Sequence, residues 1–206
     1  MAMPPLPPPG QVAPPPRPGQ PVQAGQPVAP TPRVTAPPTP VATPLPAHVP
    51  PALPGQEVAL GRILFFDKTL SRDGTVSCAS CHDPAKGFAD AVPVGVGIGG
   101  AHGTRNTPTI VNAGRQPLQF WDGRADSLEQ QALGPIQAEN EMGMTLPAMT
   151  ARLQGTPAYA REFQTVYGSA VSSALVARAI ASYEATVQAP NDDLVARVLR
   201  RDPGAL

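Results

Sequence analysis

The sequence predicts an all-α domain of short helices and long loops, preceded by a disordered proline-rich tail. Of the 30 prolines, 21 fall in residues 1–54, where charged and bulky apolar side chains are scarce. Because proline donates no backbone hydrogen bond, we expect residues 1–54 to form a disordered or polyproline II tether. Residues 55–206 have the length of one ordinary domain, and their apolar residues recur at helical spacing without a competing strand pattern.

The first element of the domain is a predicted helix over residues 56–66. Leu60, Ile63 and Leu64 occupy positions i, i+3 and i+4, which places them in one narrow apolar stripe. Polar and glycine-rich stretches then predict turns and loops over residues 67–74, 83–90 and 94–103, with one helical turn over residues 109–113.

The helices of the second half are predicted from capping signals and apolar stripes. Ser127 and Gln130 form a capping box that starts a helix ending near Gly134 and Pro135. The other signals are Thr145 as a cap, Thr156 and Pro157 as a helix start with Gly168 as its stop, and Asn191 as the cap of a final short helix. The side chains expected to face inward are Met149, Leu153, Tyr159, Phe163, Val166, Tyr167, Val176, Ile180, Tyr183 and Val187.

Both cysteines of the chain lie in the pentapeptide CASCH, at residues 78–82. Positions three and four apart share one face of a helical turn, so Cys78 and Cys81 can reach the two vinyl groups of one porphyrin. His82 then points its imidazole at the iron, and a neutral histidine is the usual proximal ligand of haem proteins. The pentapeptide therefore predicts one covalently bound c-type haem.

Two other interpretations of the pentapeptide are weaker. A structural zinc site needs four ligands, usually from two such pairs, and the chain has no second cysteine pair. A thioredoxin-like dithiol would require a βαβ setting, whereas the neighbouring residues predict short helices and glycine loops. A redox dithiol or disulfide is the main remaining alternative.

The loop over residues 94–103 contains a formal G-x-G-x-x-G match at Gly95, Gly97 and Gly100. A dinucleotide fingerprint needs a strand before it and a helix after it, and Pro93 and Pro108 exclude both. Because glycine lets a backbone approach other atoms closely, we expect this loop to pass near a flat ligand.

Charge and hydropathy exclude several classes of partner. The formal net charge is zero, with 15 basic and 15 acidic residues and no long basic run, so nothing indicates nucleic acid or an anionic membrane surface. No apolar segment is long enough to span a bilayer. The first residues also show no signal peptide, although c-type haem is usually attached outside the cytoplasm.

Five motifs in order carry a resemblance to a known family. They are LGRILFFD at residues 60–67, CASCH at 78–82, RNTPT at 105–109, FWDGRA at 120–125 and EMGM at 141–144. Together they resemble the N-terminal haem domain of bacterial di-haem cytochrome c peroxidases and the related MauG enzymes, over nearly all of residues 55–206. The resemblance implies a periplasmic enzyme that reduces hydrogen peroxide, with electrons from a small cytochrome or cupredoxin that arrive through a second haem domain.

The same resemblance implies roles for five residues. His82 would be the proximal ligand of the haem iron. Glu141 would be the distal general acid/base, and Gln131 would orient the peroxide. Trp121 would lie between the two haems, and Asn106 would help hold a calcium ion.

Each assignment has an ordinary structural alternative. These alternatives are a helix cap for Glu141, a core aromatic for Trp121, a turn residue for Asn106 and an exposed helical amide for Gln131. Three methionines could be axial haem ligands, although methionine more often fills gaps in a core: Met142, Met144 and Met149.

The chain departs from the family pattern at two points. Some members close the sixth iron position with a histidine, but the corresponding residue here is Ile98 and the nearest candidate is His102. We expect an open sixth position, as in the MauG-like branch. The chain also ends at Leu206 without a second C-x-x-C-H, so we expect a fragment or half of a split enzyme. The alternative function is a single-haem electron-transfer module without peroxidase activity.

Overall fold

The computed structural model describes residues 54–189 of the chain. Within this range the all-α prediction is confirmed, because six α-helices are joined by loops and the β-contacts are isolated bridges. The predicted tether, apart from Pro54, and the predicted final helix at Asn191 lie outside the described residues.

The helices follow the predicted order along the chain. They are α1 (Pro54–Phe66), α2 (Cys78–Cys81), α3 (Leu128–Gln137), α4 (Leu146–Gln154), α5 (Pro157–Tyr167) and α6 (Ser173–Thr186), with 3₁₀ turns at Lys68–Leu70, Pro84–Lys86, Ile98–Gly100 and Ala113–Arg115. None of the helices in the described part has the length and apolar character needed to cross a lipid bilayer.

Helix starts are set by the predicted capping side chains. The hydroxyl of Ser127 accepts a hydrogen bond from the backbone N–H of Gln130 at 3.2 Å, and Thr145 accepts one from Ala148 at 3.3 Å. In a standard capping box the Gln130 side chain would accept a hydrogen bond from the N–H of Ser127. It accepts instead from the N–H of the preceding residue, Asp126, at 2.8 Å. Local capping chemistry therefore fixes where α3 and α4 begin.

Three local predictions need correction. Ile63 is 52% exposed, whereas Phe65 is fully buried, so the buried face of α1 keeps Leu60 and Leu64 of the predicted stripe and includes Phe65 in place of Ile63. Helix α3 continues to Gln137, because Pro135 removes only one helical hydrogen bond. The helical turn expected over residues 109–113 instead spans Ala113–Arg115, because Asn112 adopts a left-handed conformation with φ 63° that interrupts any helical turn before it.

The core lies mainly between α6 and α1, with α3, α4 and α5 packed around it. Leu60, Leu64 and Phe65 of α1 face Ile180 and Tyr183 of α6, and the rings of Phe65 and Tyr183 are 5.1 Å apart at their centroids. Burying each large apolar side chain contributes about 1.5–3 kcal/mol. Of the predicted inward-facing residues, Tyr159 is half-buried and the others are buried: Met149, Leu153, Phe163, Val166, Tyr167, Val176, Ile180, Tyr183 and Val187.

The segment between α1 and α2 is held to the body of the domain by side chains from α4 and α5. The Arg152 guanidinium donates to the carbonyl oxygens of Thr69 at 2.9 Å and Ser71 at 2.8 Å. The Tyr159 hydroxyl donates to the carboxylate of Asp67. These contacts fix the start of the segment that leads into the CASCH pentapeptide.

Gly61 permits the closest approach of α1 to α6. A Cβ added at Gly61 would lie 1.8 Å from the carbonyl oxygen of Ala179 and 3.0 Å from Cβ of Tyr183. We therefore expect Gly61→Ala to lower the free energy of unfolding by about 1–3 kcal/mol or more, as overpacking of a tight core does. Chemical denaturation of the purified full chain measures this change.

Gly55→Ala is the matched control, because Gly55 lies in the same helix and a Cβ there would meet no atom within 4 Å. The control should be neutral or raise stability by up to about 1 kcal/mol, since alanine is the better helix former. Equal effects at the two positions would contradict the packing argument.

Candidate haem site

The CASCH pentapeptide forms the short helix α2, which is capped at its first turn. Ser80 accepts a hydrogen bond from the backbone N–H of Ser77 at 2.9 Å, and the N–H of His82 donates to the carbonyl of Cys78 at 2.9 Å. Cys78 and Cys81 are free thiols that are partly buried. The helical turn therefore presents both sulfurs and the imidazole from one short, fixed segment.

The imidazole of His82 is oriented by the loop that follows it. Its Nδ1 lies 3.1 Å from the carbonyl oxygen of Phe88, and the loop closes through the bond from Phe88 N–H to the Asp83 carbonyl at 2.8 Å. Gly87 and Phe88 both adopt positive φ, at 67° and 58°, which turns the chain back towards His82. Because a carbonyl only accepts, Nδ1 carries the proton and Nε2 is left with its lone pair.

The surroundings of His82 also keep the ring neutral. Burial lowers the pKa of His82, although the Phe88 carbonyl partly opposes this effect. The Phe65 ring lies beside the imidazole, with 6.4 Å between the ring centroids. A neutral histidine with one nitrogen bound to a carbonyl and the other available is the form that ligates a metal.

The two thiols do not resemble a reactive redox pair. Burial raises the pKa of Cys78 well above its ordinary value, and the carboxylate of Glu184 raises it further. Burial likewise raises the pKa of Cys81, together with the charges of Asp90 and Glu141. Redox-active dithiols need a lowered pKa, so these surroundings disfavour the dithiol alternative.

The glycine-rich loop connects the cysteine side of the site to Glu141. The Cys81 sulfur lies 4.0 Å from the carbonyl of Val96, and the backbone N–H of Ile98 donates to the carbonyl of Glu141 at 2.9 Å. A Cβ at Gly97 would lie 2.2 Å from the carbonyl oxygen of Asn140 and 2.6 Å from Cα of Glu141. At Gly97 the loop therefore approaches the backbone of Asn140 and Glu141, and its approach to a flat ligand stays a prediction.

Glu141 belongs to the turn between α3 and α4. Its backbone is held by the bond from its N–H to the Ala138 carbonyl at 2.9 Å, in addition to the bond from Ile98. It does not cap a helix, because the N-cap of α4 is Thr145. Its carboxylate forms no hydrogen bond with any residue that the structure describes.

The carboxylate of Glu141 is exposed on one side but partly desolvated by the protein around it. Burial raises the pKa of Glu141, and the guanidinium of Arg124 partly offsets that increase. The same carboxylate raises the pKa of Cys81, so Glu141 and the pentapeptide share one electrostatic environment. An unpaired carboxyl with a raised pKa is suited to proton transfer.

The other predicted site residues occupy different positions around this site. Trp121 is 64% exposed and not a core residue, and its indole N–H donates to the backbone carbonyl of Asn106 at 2.8 Å. The Asn106 side chain donates to the carbonyl of Val92 at 2.9 Å. Gln131 is half-buried on α3, and its side-chain amide has no hydrogen-bond partner in the described part of the chain. Residues 54–189 contain no group of three His, Cys, Asp or Glu that could hold a metal ion, and calcium at Asn106 stays a prediction.

The candidate axial ligands also differ in their surroundings. The methionines are between 0% and 4% exposed and lie within the hydrophobic core: Met142, Met144 and Met149. His102 is exposed and forms a backbone bridge with Val96, while Ile98 is buried. The open sixth position therefore stays a prediction.

Sequence reasoning assigned no role to Arg124. Its guanidinium lies over the ring of Phe120, 3.5 Å from the centroid, and pairs with Asp122 at 2.8 Å. Burial alone would raise the pKa of Asp122, but bonds and charges from Arg124 and Arg105 lower it to about 2. The ion pairs that Asp122 forms with both arginines hold Arg124 in place.

These residues fit a covalently bound c-type haem. Cys78 and Cys81 lie on one helical turn, and the Phe88 carbonyl at Nδ1 of His82 leaves the lone pair of the neutral ring on Nε2. The Gly95 backbone passes beside Cys81, where an added Cβ would lie 3.8 Å from the sulfur. Glu141, whose backbone carbonyl accepts from Ile98 of the same loop, adds an unpaired carboxylate.

Comparison with known proteins gives the same family. The family model described as di-haem cytochrome c peroxidase matches residues 55–201. The methylamine utilization protein MauG of Methylorubrum extorquens is 42% identical over 145 residues, which cover 68% of this chain and 41% of that protein. The cytochrome c551 peroxidase of Pseudomonas aeruginosa is 44% identical over 139 residues, which cover 66% of this chain and 40% of that protein.

A solved structure shares the fold. A MauG-like protein associated with microbial copper homeostasis matches with a TM-score of 0.65 and 30% identity, over 77% of this chain and 49% of that chain. The chain spans about 40% of the length of the two curated relatives. Because the family model covers most of the chain, including the pentapeptide and Glu141, this protein belongs to the di-haem cytochrome c peroxidase family.

Proposed function

We propose that this chain is the peroxide-reacting haem domain of a di-haem cytochrome c peroxidase-like enzyme, which reduces hydrogen peroxide to water. The observation that carries the proposal is the unpaired carboxylate of Glu141, whose backbone is bonded by the loop that also contacts Cys81. Cys78 and Cys81 would bind one haem c covalently, and His82 would ligate its iron through Nε2. When bound, the haem would supply the iron that binds peroxide and the electrons that cleave the O–O bond.

The residues around the iron would divide the remaining work. The Phe88 carbonyl fixes the His82 ring and makes its Nε2 a stronger donor, as second-shell acceptors do for ligating histidines. The unpaired amide of Gln131 would orient the peroxide. Glu141 would accept the proton from one peroxide oxygen and return it to the other, so that the departing oxygen leaves as water.

The electron supply belongs to the same proposal. Trp121 exposes most of its indole ring, which suits a contact with a second haem domain. That domain would take electrons from a small redox protein, either a cytochrome c or a cupredoxin, in the bacterial periplasm. Asn106, bonded to Trp121, is the residue at which a calcium ion would help order this contact.

Covalent haem attachment is tested with the two cysteines. The full chain, produced with the cytochrome c assembly machinery, should retain haem through denaturing electrophoresis. Cys78→Ser and Cys81→Ser should each keep one thioether bond and shift the pyridine haemochrome band to longer wavelength. The double variant should lose covalent haem, and a wild-type chain without haem stain would contradict the attachment.

The acid/base role is tested with Glu141→Gln. We expect the rate constant for the reaction of the ferric protein with hydrogen peroxide to fall by about 10²–10⁴-fold, the usual contribution of a positioned acid/base. The control is Glu139→Gln, because Glu139 is an exposed carboxylate two residues away that pairs with Arg72 at 2.7 Å. Stopped-flow absorbance measures both variants.

The pH dependence follows from the raised pKa of Glu141. Only the carboxylate can accept the peroxide proton, so the rate should fall as the pH decreases through a midpoint above that of an ordinary glutamate. Glu141→Gln should remove this step. An unchanged rate in Glu141→Gln would contradict the acid/base role, and a wild-type iron that ignores peroxide would favour the electron-transfer module.

A further inference from the structure

Glu184 is a buried carboxyl group that the proposed peroxide reaction does not use. It lies on α6, is 5% exposed, and its Oε2 has no hydrogen-bond partner among the described residues. Burying an unpaired carboxylate is costly, so its protonated form is favoured. Burial raises the pKa of Glu184 to about 8, and the nearby charge of Glu129 adds to the effect.

Glu184 lies on the side of α6 that leads to the predicted haem attachment. The ring of Tyr183, its neighbour on α6, packs on Phe65, which also lies beside the imidazole of His82. Cys78 packs against the same hydrophobic core.

The charge of Glu184 is the largest electrostatic contribution to the raised pKa of Cys78, on α2. From α3 it is faced by Glu129, and Tyr183 is its neighbour on α6. A thioether at Cys78 would no longer titrate, which would leave Glu129 and Tyr183 as the titratable neighbours.

The cations near this part of the molecule interact with other groups. Arg178 of α6 pairs with Glu57 of α1 at 3.0 Å, and Ser182 donates to the same carboxylate at 2.6 Å. Arg62 of α1 acts on Tyr183. Glu184 is therefore buried without a compensating positive charge in the described part of the chain, and it responds to any charge that appears beside Cys78.

A cleft lies beside the same stretch of α6. It has a volume of about 340 Å³, and its lining includes Ala181 and Ala185 of α6 together with Glu129 of α3. Ala181 lies three residues before Glu184, on the same face of α6, whereas Glu184 itself does not line the cleft. Cys78, Cys81 and His82 do not line this cleft, which distinguishes it from the proposed peroxide site.

We propose that Glu184 is a haem-linked proton-binding site, which takes up one proton when the iron held by His82 is reduced. The inference rests on the proposed attachment of haem at Cys78 and Cys81. One electron from a one-electron donor reduces the iron, and one proton from solvent forms an O–H bond on the Glu184 carboxylate. Oxidation releases both.

The direction of the coupling follows from charge. Reduction removes one positive charge from the haem, so the neighbouring carboxylate becomes less stable and binds its proton more tightly. By linkage, a proton on Glu184 favours the reduced iron to the same extent. Glu184 has one pKa in the oxidised protein and a higher pKa in the reduced protein. Between these two pKa values, each pH unit changes the equilibrium constant for reduction up to tenfold.

The test is the midpoint potential of the haem-loaded protein as a function of pH, measured by spectroelectrochemical titration across neutral and alkaline pH. In the wild type we expect the potential to fall with rising pH as Glu184 loses its proton. In Glu184→Gln this fall should disappear, because the neutral amide imitates the protonated acid. Glu129→Gln should move the fall to lower pH, since a like charge has been removed.

Glu162→Gln is the matched control, because this carboxylate lies on α5 and does not line the cleft; it should behave as the wild type. Reduced-minus-oxidised infrared spectra give a second readout, with a protonated carboxyl band on reduction that Glu184→Gln lacks. If Glu184→Gln does not fold, the Glu129→Gln shift and the wild-type infrared band decide the question.

An unchanged pH dependence in Glu184→Gln, or no such band in the wild type, would overturn this inference and leave the peroxidatic proposal intact. A chain that cannot bind haem covalently would overturn both.

Discussion

The close packing of α1 against α6 at Gly61 is the contact on which the rest of the structure depends. It allows a backbone-to-backbone approach that no side chain at position 61 could accommodate. Because the helices meet so closely, Phe65 reaches both Tyr183 and the imidazole of His82. The same helix pair buries Glu57 with Arg178, and it carries Glu184 into the interior. Core packing and site electrostatics therefore have a common origin.

The chemistry of the site is set by two loops that fold back on α2. The loop after His82 uses left-handed residues to bring the Phe88 carbonyl onto Nδ1, which fixes the proton on that nitrogen. The glycine-rich loop contacts Cys81 at Val96 and the backbone of Glu141 at Ile98, so one segment fixes the position of Glu141 relative to the thiols. Burial lowers the pKa of His82 and raises that of Glu141, which are the shifts that the proposed iron ligand and the proposed proton carrier require.

Local sequence signals predicted the parts of the molecule whose causes are local. Ser127 and Thr145 cap their helices because each side-chain acceptor lies three residues before its backbone donor. The CASCH pentapeptide can likewise be recognised because its residues lie within a single helical turn. The prediction that Ile63 is buried was wrong, because the packing of α6 determines which face of α1 is buried. Glu141 was identified by family resemblance alone, since nothing in its spacing distinguishes it. Arg124 matters through its effect on Glu141, and Glu184 through its burial beside Glu129 and Cys78; these neighbours are distant in sequence, so local patterns carried no signal for either role.

The most direct test of the central claim is the absorption spectrum of the ferric, haem-loaded chain before and after hydrogen peroxide is added. An iron with His82 as its protein ligand and an open face near Glu141 should be high-spin, and its spectrum should change rapidly with peroxide. A low-spin spectrum that is insensitive to peroxide would mean that a sixth ligand occupies the iron. That result would contradict the assignment of this domain as the peroxide-reacting one.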